Sequence, residues 1–533
     1  MVEDEQTPEN KKNVIDRQPS SDKTISRSAW ITLAILGSTL LITMYGETML
    51  LPAIPDIIKE FHISYNMASW ILTAYLISGA VMTPISGKLS DMYGRKKAVI
   101  IIMMIYIVGI CLGGISHDIN FLITVRIIQG IGVSMFPIAF GIIRDQLPPE
   151  KLAIGVGIFS SMFAAGSVIG LAAGGSIIEN LGWRATFLSI IPFAIGLWII
   201  IRRFIYDIPY PTQFSQNGAQ IQPHNQRLDG HTNVGSVSSN SRQSIDINGA
   251  ITLAVTITSF LLALSYLKTS NNTTVFPLQI MYFLTAGSIS LILFIFIEKR
   301  AKSPLIDLKL ITNKIILPAN ILLTISFLTM FTVYQTTPVL VRSPYPVGLG
   351  GNASTTAAIQ IPFMIVFLLF APSSGFIISK LGNTNPTIIG SIIGTVGFFS
   401  ILILHSTGFL LAATLSVIAV GLSLMQVGGF NIVLESTPRE LSGTSLGTTV
   451  LLNLIGGAVG PAVAGIFMQT NQVFVKAVGG YFPSSLAYQL IFFTSAILSL
   501  VTIALAIIIK KRSLSRNEDI TKNKFKTADV DSK

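Results

Sequence analysis

Glu47 stands inside a long apolar run. An ionisable group there costs about 2.5–3.5 kcal/mol on insertion scales and therefore needs a function or a partner. A carboxyl in such surroundings can bind and release a proton within the hydrocarbon; the static alternative is a buried neutral acid or a partner for Arg126, the other charge in an apolar run. Arg126 can order water or that carboxyl, or it can snorkel to the nearer surface. A third group is the run Gly87-Lys88-Leu89-Ser90-Asp91-Met92-Tyr93-Gly94-Arg95-Lys96-Lys97, set between two apolar stretches. Gly94 permits a sharp turn, Asp91 can accept amide hydrogen bonds at a helix N-terminus, and Arg95 and Lys96 supply counter-charge. This chemistry is proton binding and electrostatic latching at a membrane surface. The chain has no Gly-x-x-x-x-Gly-Lys-[Ser/Thr] phosphate loop, no His-Glu-x-x-His and no nucleophile elbow, so no enzymatic constellation and no use of ATP is expected.

The elements that must position these groups are membrane helices. Half of the 533 residues are hydrophobic and only 11% are charged, against about 25% in a soluble domain. Fourteen apolar stretches can be drawn, at roughly 30–54, 66–86, 98–116, 120–143, 154–178, 186–206, 247–267, 277–297, 315–340, 354–379, 386–404, 408–432, 442–468 and 486–510. They are continuous rather than alternating, so helices satisfy the backbone and barrel strands do not. With the N-terminus inside the cell, thirty of the 36 Lys and Arg residues fall on the cytoplasmic side, and the outer loops keep Lys59, Arg184, Lys268, Arg342 and Lys476. Both termini are thus expected in the cytoplasm of a multi-pass cell-membrane protein. The first 28 residues are polar and lack a signal-peptide pattern, so the first span is expected to remain.

The expected domains are a disordered N-terminus (1–29), a six-helix bundle (30–206), a disordered linker rich in Gln, Asn, Ser, Gly and Pro (207–246), an inserted helix pair (247–297), a second six-helix bundle (298–510) and a cytoplasmic tail (511–533). The cluster Lys510-Lys511-Arg512 reads as a stop-transfer flank or an anchor to anionic lipid. The net charge of +11 is spread between the spans, which argues against a nucleic-acid partner. The lone Cys111 leaves no intrachain disulfide, and the five histidines fall in loops or span ends, so no metal site is expected.

In position and spacing, Gly87–Lys97 resembles the loop between the second and third spans of the major facilitator superfamily, Gly-x-Leu-x-Asp-x-x-Gly-Arg-Lys. The resemblance extends over about residues 30–510 and is closest to the fourteen-span drug–proton antiporters. Trp70-Ile-Leu-Thr-Ala-Tyr75, Leu122-x-x-x-Arg126-x-x-Gln129-Gly130-x-Gly132, Arg144-Asp145, Trp183-Arg184-x-x-Phe187 and Pro304-Leu-Ile-Asp307 carry it further. Two places depart from the pattern. The fifth-span motif, Gly-Pro-x-x-Gly-Gly, reads Gly170-Leu-Ala-Ala-Gly174-Gly175 and lacks its proline, while Gly166 and Gly170 keep a small-xxx-small face. The first span usually places an aspartate seven residues before an Ala-Leu-Pro. That count lands on Gly46, and the acid is Glu47, turned by about 100°.

The resemblance implies an all-α polytopic fold of two six-helix bundles plus two inserted helices, with a midplane site between the bundles. It implies secondary active export of organic, amphipathic or drug-like compounds in exchange for protons, with no cofactor and a monomer as the unit. Another solute, such as a siderophore or metabolite, transport without proton coupling, or a non-transporting membrane sensor remain as alternatives. Glu47 and Arg126 are expected in proton coupling. Gly87, Asp91, Gly94, Arg95, Lys96 and Asp145 are expected at a cytoplasmic gate, with Asp91 capping the inner end of the thirteenth span near Ser442-Gly443-Thr444 and Arg95 pairing with Asp145. Candidate cavity residues are Tyr45, Trp70, Met330, Gln335, Gln360, Phe363, Asn431 and Asn453, with Gln426 among the remaining polar groups. Each of the amides could instead bond across helices as packing glue.

Overall fold

The structure is a computed structural model; it describes residues 26–531 except 64, 149–150, 206–245, 267–277, 302–303, 307, 439–440 and 477. The first-half helices are α1 (Arg27–Thr48), α2 (Tyr65–Tyr93), α3 (Arg95–Gly113), α4 (Ile119–Gln146), α5 (Leu152–Leu181) and α6 (Arg184–Phe204). The inserted pair is α7 (Ile247–Tyr266) and α8 (Leu278–Arg300). The second half holds α9 (Ile316–Arg342), α10 (Ala353–Leu381), α11 (Thr384–Ile403), α12 (Gly408–Ser436), α13 (Ser442–Thr470) and α14 (Ser485–Asp531). Among the described residues, thirteen of these are long and apolar enough to cross a membrane, and α7 adds a shorter apolar stretch, Asn248–Ala263. The linker expected at 207–246 lies outside the described residues apart from Asp246. The tail expected after 510 continues α14 as helix to Asp531.

Local chemistry sets the helix ends. Asp118 accepts the N–H groups of Asn120 (2.9 Å) and Phe121 (3.0 Å) and so starts α4, and Asn352 accepts from Thr355 to start α10. Gly94 breaks α2 from α3 at φ +94°, a backbone angle that favours glycine. The fourth span tightens into a 3-10 turn at Ile131–Ser134. Two further elements stand outside the apolar runs: a short helix, Ile54–Phe61, after α1, and an antiparallel hairpin, β1 (Gln472–Val475) and β2 (Gly480–Pro483), between α13 and α14.

The halves meet along α2 with α13 and α5 with α10. Near the basic loops that contact is tight. A β-carbon on Gly157 would lie 2.7 Å from the Ala371 carbonyl, Phe140 stacks on Phe430 at 5.2 Å, and Arg144 Nη2 donates to the Thr437 carbonyl at 3.0 Å. At the opposite end the halves part around a vestibule of about 260 Å³, lined by Pro52 and Leu171 from the first half and by Gln335, Arg342, Gln360 and Met468 from the second. Tyr481 and Phe482 of β2 border it. The molecule is therefore closed at the basic end and open at the other. The inserted pair packs on itself, and α7 touches both α2 and α13.

Candidate functional site

Between the halves, inward of the vestibule, lies a second cavity of about 60 Å³. Eight phenylalanines line it: Phe136 and Phe140 of α4, Phe159 and Phe163 of α5, Phe327 and Phe331 of α9, Phe367 of α10 and Phe430 of α12. Most stand in pairs four residues apart on one helix, the spacing that puts two rings on one face. Ring contacts at 4.8–6.5 Å join them, and three of these, Phe140–Phe430, Phe163–Phe327 and Phe163–Phe367, cross between the two halves. The polar groups of the wall are Glu47, Ser160, Gln426 and Asn453. Glu47 is its one charged residue and is 4% exposed. Neither amide atom of Asn453 has a hydrogen-bond partner, and Gln426 meets the Met330 sulfur at 3.8 Å.

Helix phase explains why Glu47 faces this space. Leu40, Met44 and Glu47 recur at helical spacing along the cavity side of α1. Gly46 faces the other way, into the first half, and a β-carbon there would fall 2.2 Å from the Tyr106 hydroxyl oxygen. That hydroxyl, donating to the Ile42 carbonyl at 3.0 Å, fills the volume that a side chain at position 46 would need. The one-residue displacement read in the sequence thus carries the acid from the interior of the first half to the boundary between the halves.

Arg126 is 1% exposed and points inward, so it does not snorkel. Its Nε donates to the Ile71 carbonyl at 3.1 Å. Its Nη1 donates to the Gly46 carbonyl at 2.7 Å and to Gln129 Oε1 at 3.0 Å, and Nη2 donates to the Glu47 carbonyl at 3.4 Å. The guanidinium lies 4.3 Å from the centre of the Tyr75 ring. These are backbone, amide and ring partners; among the described residues no ion pair joins Arg126 to the Glu47 carboxylate. Arg126 therefore fixes the backbone of α1 at Gly46–Glu47 and the direction in which Glu47 points. Gly130, one turn on, lets α4 close on α2, since a β-carbon would meet the Tyr75 carbonyl at 2.2 Å.

Gly166, Gly170 and Gly174 form a stripe along α5 against α1, with virtual β-carbons 2.3 Å from the Leu41 carbonyl, 2.2 Å from Thr48 Oγ1 and 2.7 Å from the Met49 carbonyl. Gly175 meets nothing within 4 Å and stands outside that contact. With no proline, α5 runs unbroken.

At the basic end, Arg95 pairs with Asp145, its guanidinium passing over Gly141. Gly87 is buried at the end of α2, and Lys96 is half-buried in the first turn of α3. The side chains of Asp91 and of Ser442–Thr444 lie outside the described atoms. At the open end, Glu60 accepts from Trp183 Nε1 and Arg184 Nη2, both at 2.7 Å, and Arg184 Nε reaches the Ser116 carbonyl at 2.8 Å. These hydrogen bonds hold the Glu60 carboxyl below the usual range. They tie three loops of the first half together.

A fold of membrane helices in two halves, with a buried acid at their boundary and a glycine-broken basic turn, has a match among known families: the Major Facilitator Superfamily, over residues 36–461. The chain belongs to that superfamily. It is a transporter family, not an enzyme family. Multidrug resistance protein 3 of Bacillus subtilis (strain 168) is 28% identical over 70% of this chain and 67% of its own length. Multidrug transporter protein MdtP of the same organism is 27% identical over 83% of this chain and 76% of its own. Among solved structures, the human organic anion transporter MFSD10 (TETRAN) has a TM-score of 0.60 at 14% identity, covering 90% of this chain and 99% of that one; it shares the fold.

Within this facilitator fold the expected cavity residues separate. Asn453 lines the aromatic cavity, as does Gln426. Gln335 and Gln360 line the vestibule, and Met330, Gln360 and Phe363 border a small pocket of about 10 Å³ inside the second half. Three expected residues do not line these spaces. Tyr45 sits two positions before Glu47, about 200° around the helix, and bonds Ser189 of α6 at 2.8 Å. Asn431 is buried and donates to the Val427 carbonyl one turn back at 2.7 Å. Trp70 packs partly buried against the core of the first half. The cavity wall is made instead by phenylalanines that are not among the expected residues. Their signal in the sequence is the doublets 136/140, 159/163 and 327/331, on three different spans, while the expected Phe363 borders the smaller pocket and Phe367, one turn on, reaches the cavity.

Proposed function

We propose that this facilitator exports amphipathic organic compounds, cations foremost, in exchange for protons by alternating access. The basic end then faces the cytoplasm of the cell membrane, and the vestibule opens outside. The observation that carries this reading is the single carboxyl, Glu47, facing a cavity of eight phenylalanines. A lone acid attracts a cation, ring faces hold its charge and its apolar body, and few directional groups restrict its shape. The printed names of the relatives, multidrug resistance and multidrug transporter, support a broad organic cargo.

The mechanism follows from competition for one group. Glu47 holds either a proton or a bound cation. At about 60 Å³ the closed cavity is far below the ~300 Å³ of a drug-sized site, so cargo enters once the basic end opens. Opening separates Phe140 from Phe430 and Arg144 from Thr437. Arg95–Asp145 lies within the first half and keeps α3 and α4 together as that half moves. Asp91 is proposed to cap α13 while the basic end is closed. On the outside, a proton reaches Glu47 and releases the cargo to the vestibule. The test is reconstitution: purified protein in vesicles with an imposed pH difference should accumulate a cationic dye and release protons in return, and Glu47→Gln should abolish the proton flux. Dye movement with unchanged proton flux in that variant defeats the reading.

A further inference from the structure

Among the residues that line the vestibule at the open end, one is charged, and it is a base. Arg342, at the end of α9, is half-buried in that wall. Its Nη1 donates to the Pro52 carbonyl of the first half at 3.3 Å, a long bond, and it makes no ion pair among the described residues. Asp56, two residues past Ile54 of the wall, is exposed and does not pair with it. Lys476, in the turn of the hairpin that borders the mouth, is exposed and adds a second positive charge.

Gln335, Pro338, Val339 and Arg342 recur at helical spacing along the vestibule face of α9. Two turns separate Gln335 from Arg342, about 10 Å along the axis. Gln335 Oε1, at the deeper end, is buried with no hydrogen-bond partner. Gln360 of α10 joins it there and is 2% exposed. Its Nε2 donates to the Tyr334 carbonyl at 2.9 Å, and its Oε1 is buried with no donor. The hydroxyls of the wall are already engaged: Ser343 with the Val339 carbonyl and Tyr488, Thr356 with the Asn352 carbonyl.

A guanidinium held partly out of water without a counter-ion favours an anion, and its planar fork suits a carboxylate, sulfonate or phosphate. Two bare amide oxygens favour an N–H or O–H donor, since a buried acceptor left unpaired costs free energy. Between these ends the wall is apolar, with Leu171, Pro338, Val339, Pro461 and Met468. The volume of about 260 Å³ is close to the ~300 Å³ at which small-molecule sites begin. We propose that the vestibule binds an elongated organic anion from outside, its acidic group on Arg342 and a hydroxyl or amide donor on Gln335 and Gln360. The two spaces between the halves thus select opposite charges, by Glu47 in the aromatic cavity and by Arg342 in the vestibule. A cation released from Glu47 is repelled by Arg342 and does not settle on its way out. An anion seated between Pro52 and Leu171 of the first half and α9 and α10 of the second keeps the halves apart at this end. It therefore holds the state open to the outside and slows export. Binding stands on the vestibule itself; the effect on export rests on the alternating-access reading.

The probe is a biphenyl carrying a hydroxyl at one para end and a sulfonate at the other, a rigid anion whose ends span about the distance from Gln335 to Arg342. Equilibrium dialysis against purified full-length protein should show saturable binding of one probe per chain. Arg342→Gln should weaken it by about tenfold or more, Arg342→Lys should restore most of the affinity, and Glu47→Gln should leave it unchanged. Gln360→Leu should weaken the probe and spare biphenyl sulfonate, which lacks the hydroxyl. The uncharged sulfonamide analogue should bind wild type weakly and respond little to Arg342→Gln. Equal affinity for the probe in wild type and Arg342→Gln overturns the site. So does loss of binding in a folded Glu47→Gln protein, which places the probe in the aromatic cavity. Should Arg342→Gln fail to fold, equal affinities of wild type for the sulfonate and the sulfonamide overturn it instead. In cells, probe added to the medium should slow efflux of a cationic dye from the wild type and not from Arg342→Gln. Failure of the wild type to export anything would defeat the transport reading and leave the dialysis result standing.

Discussion

Replacing Glu47 by Gln changes one charge with little change in shape, and the structure sets the size of the consequence. The carboxyl makes no ion pair among the described residues and faces the cavity. Folding stability should therefore move by less than about 1 kcal/mol. The cost falls on the cargo. A unit cation about 4 Å from the carboxylate gains roughly 4 kcal/mol at an effective dielectric constant near 20. Desolvation of both charges offsets part of this, leaving on the order of 2 kcal/mol, or about 30-fold in affinity. The ring contacts remain and keep weak binding of both cations and neutral compounds. The assay is equilibrium binding of a cationic dye and of an uncharged compound of similar shape to purified protein, with thermal unfolding as the control. Selective loss for the cation, with unfolding unchanged, supports the reasoning. Equal affinities for the cation in wild type and variant refute it.

Three further outcomes follow from other contacts. Arg126→Lys replaces a fork with four acceptors by a single ammonium. Two acceptors left bare at about 1–3 kcal/mol each should lower the unfolding temperature clearly, and a wild-type melt would show that the fork is dispensable. Gly170→Ala drives a β-carbon into Thr48 Oγ1, 2.2 Å away, whereas the β-carbon of Gly175→Ala meets nothing within 4 Å; overpacking of about 1–3 kcal/mol should depress the folded yield of the first and spare the second. Glu60 is held below the usual carboxyl range by its hydrogen bonds from Arg184 and Trp183. Its contribution to stability is present above the ordinary value near 4.3 and is lost as pH falls through the lower folded value. Glu60→Gln should flatten the acid limb of the unfolding curve and leave neutral pH nearly unaffected; an unaltered acid limb would dissociate Glu60 from the clamp.

Long apolar runs, their basic flanks and a glycine-broken charged turn were legible along the chain because each is a local property. Bilayer thickness fixes how many apolar residues a helix needs, and the backbone must bond within itself in lipid. The superfamily, the helical halves and the buried positions of Glu47 and Arg126 follow from such local facts. Which way a side chain points depends on helix phase against neighbours that are distant in sequence. Tyr45 and Glu47 are two residues apart, yet one bonds Ser189 and the other faces the second half. The phenylalanine doublets of α4, α5 and α9 gain meaning only when those helices converge with Phe367 of α10 and Phe430 of α12. Sequence alone determined that this chain crosses a membrane many times and carries charge inside it. Tertiary structure decided what those charges face, because in a helix a step of one residue turns a side chain by about 100°, and only packing says what stands on the other side.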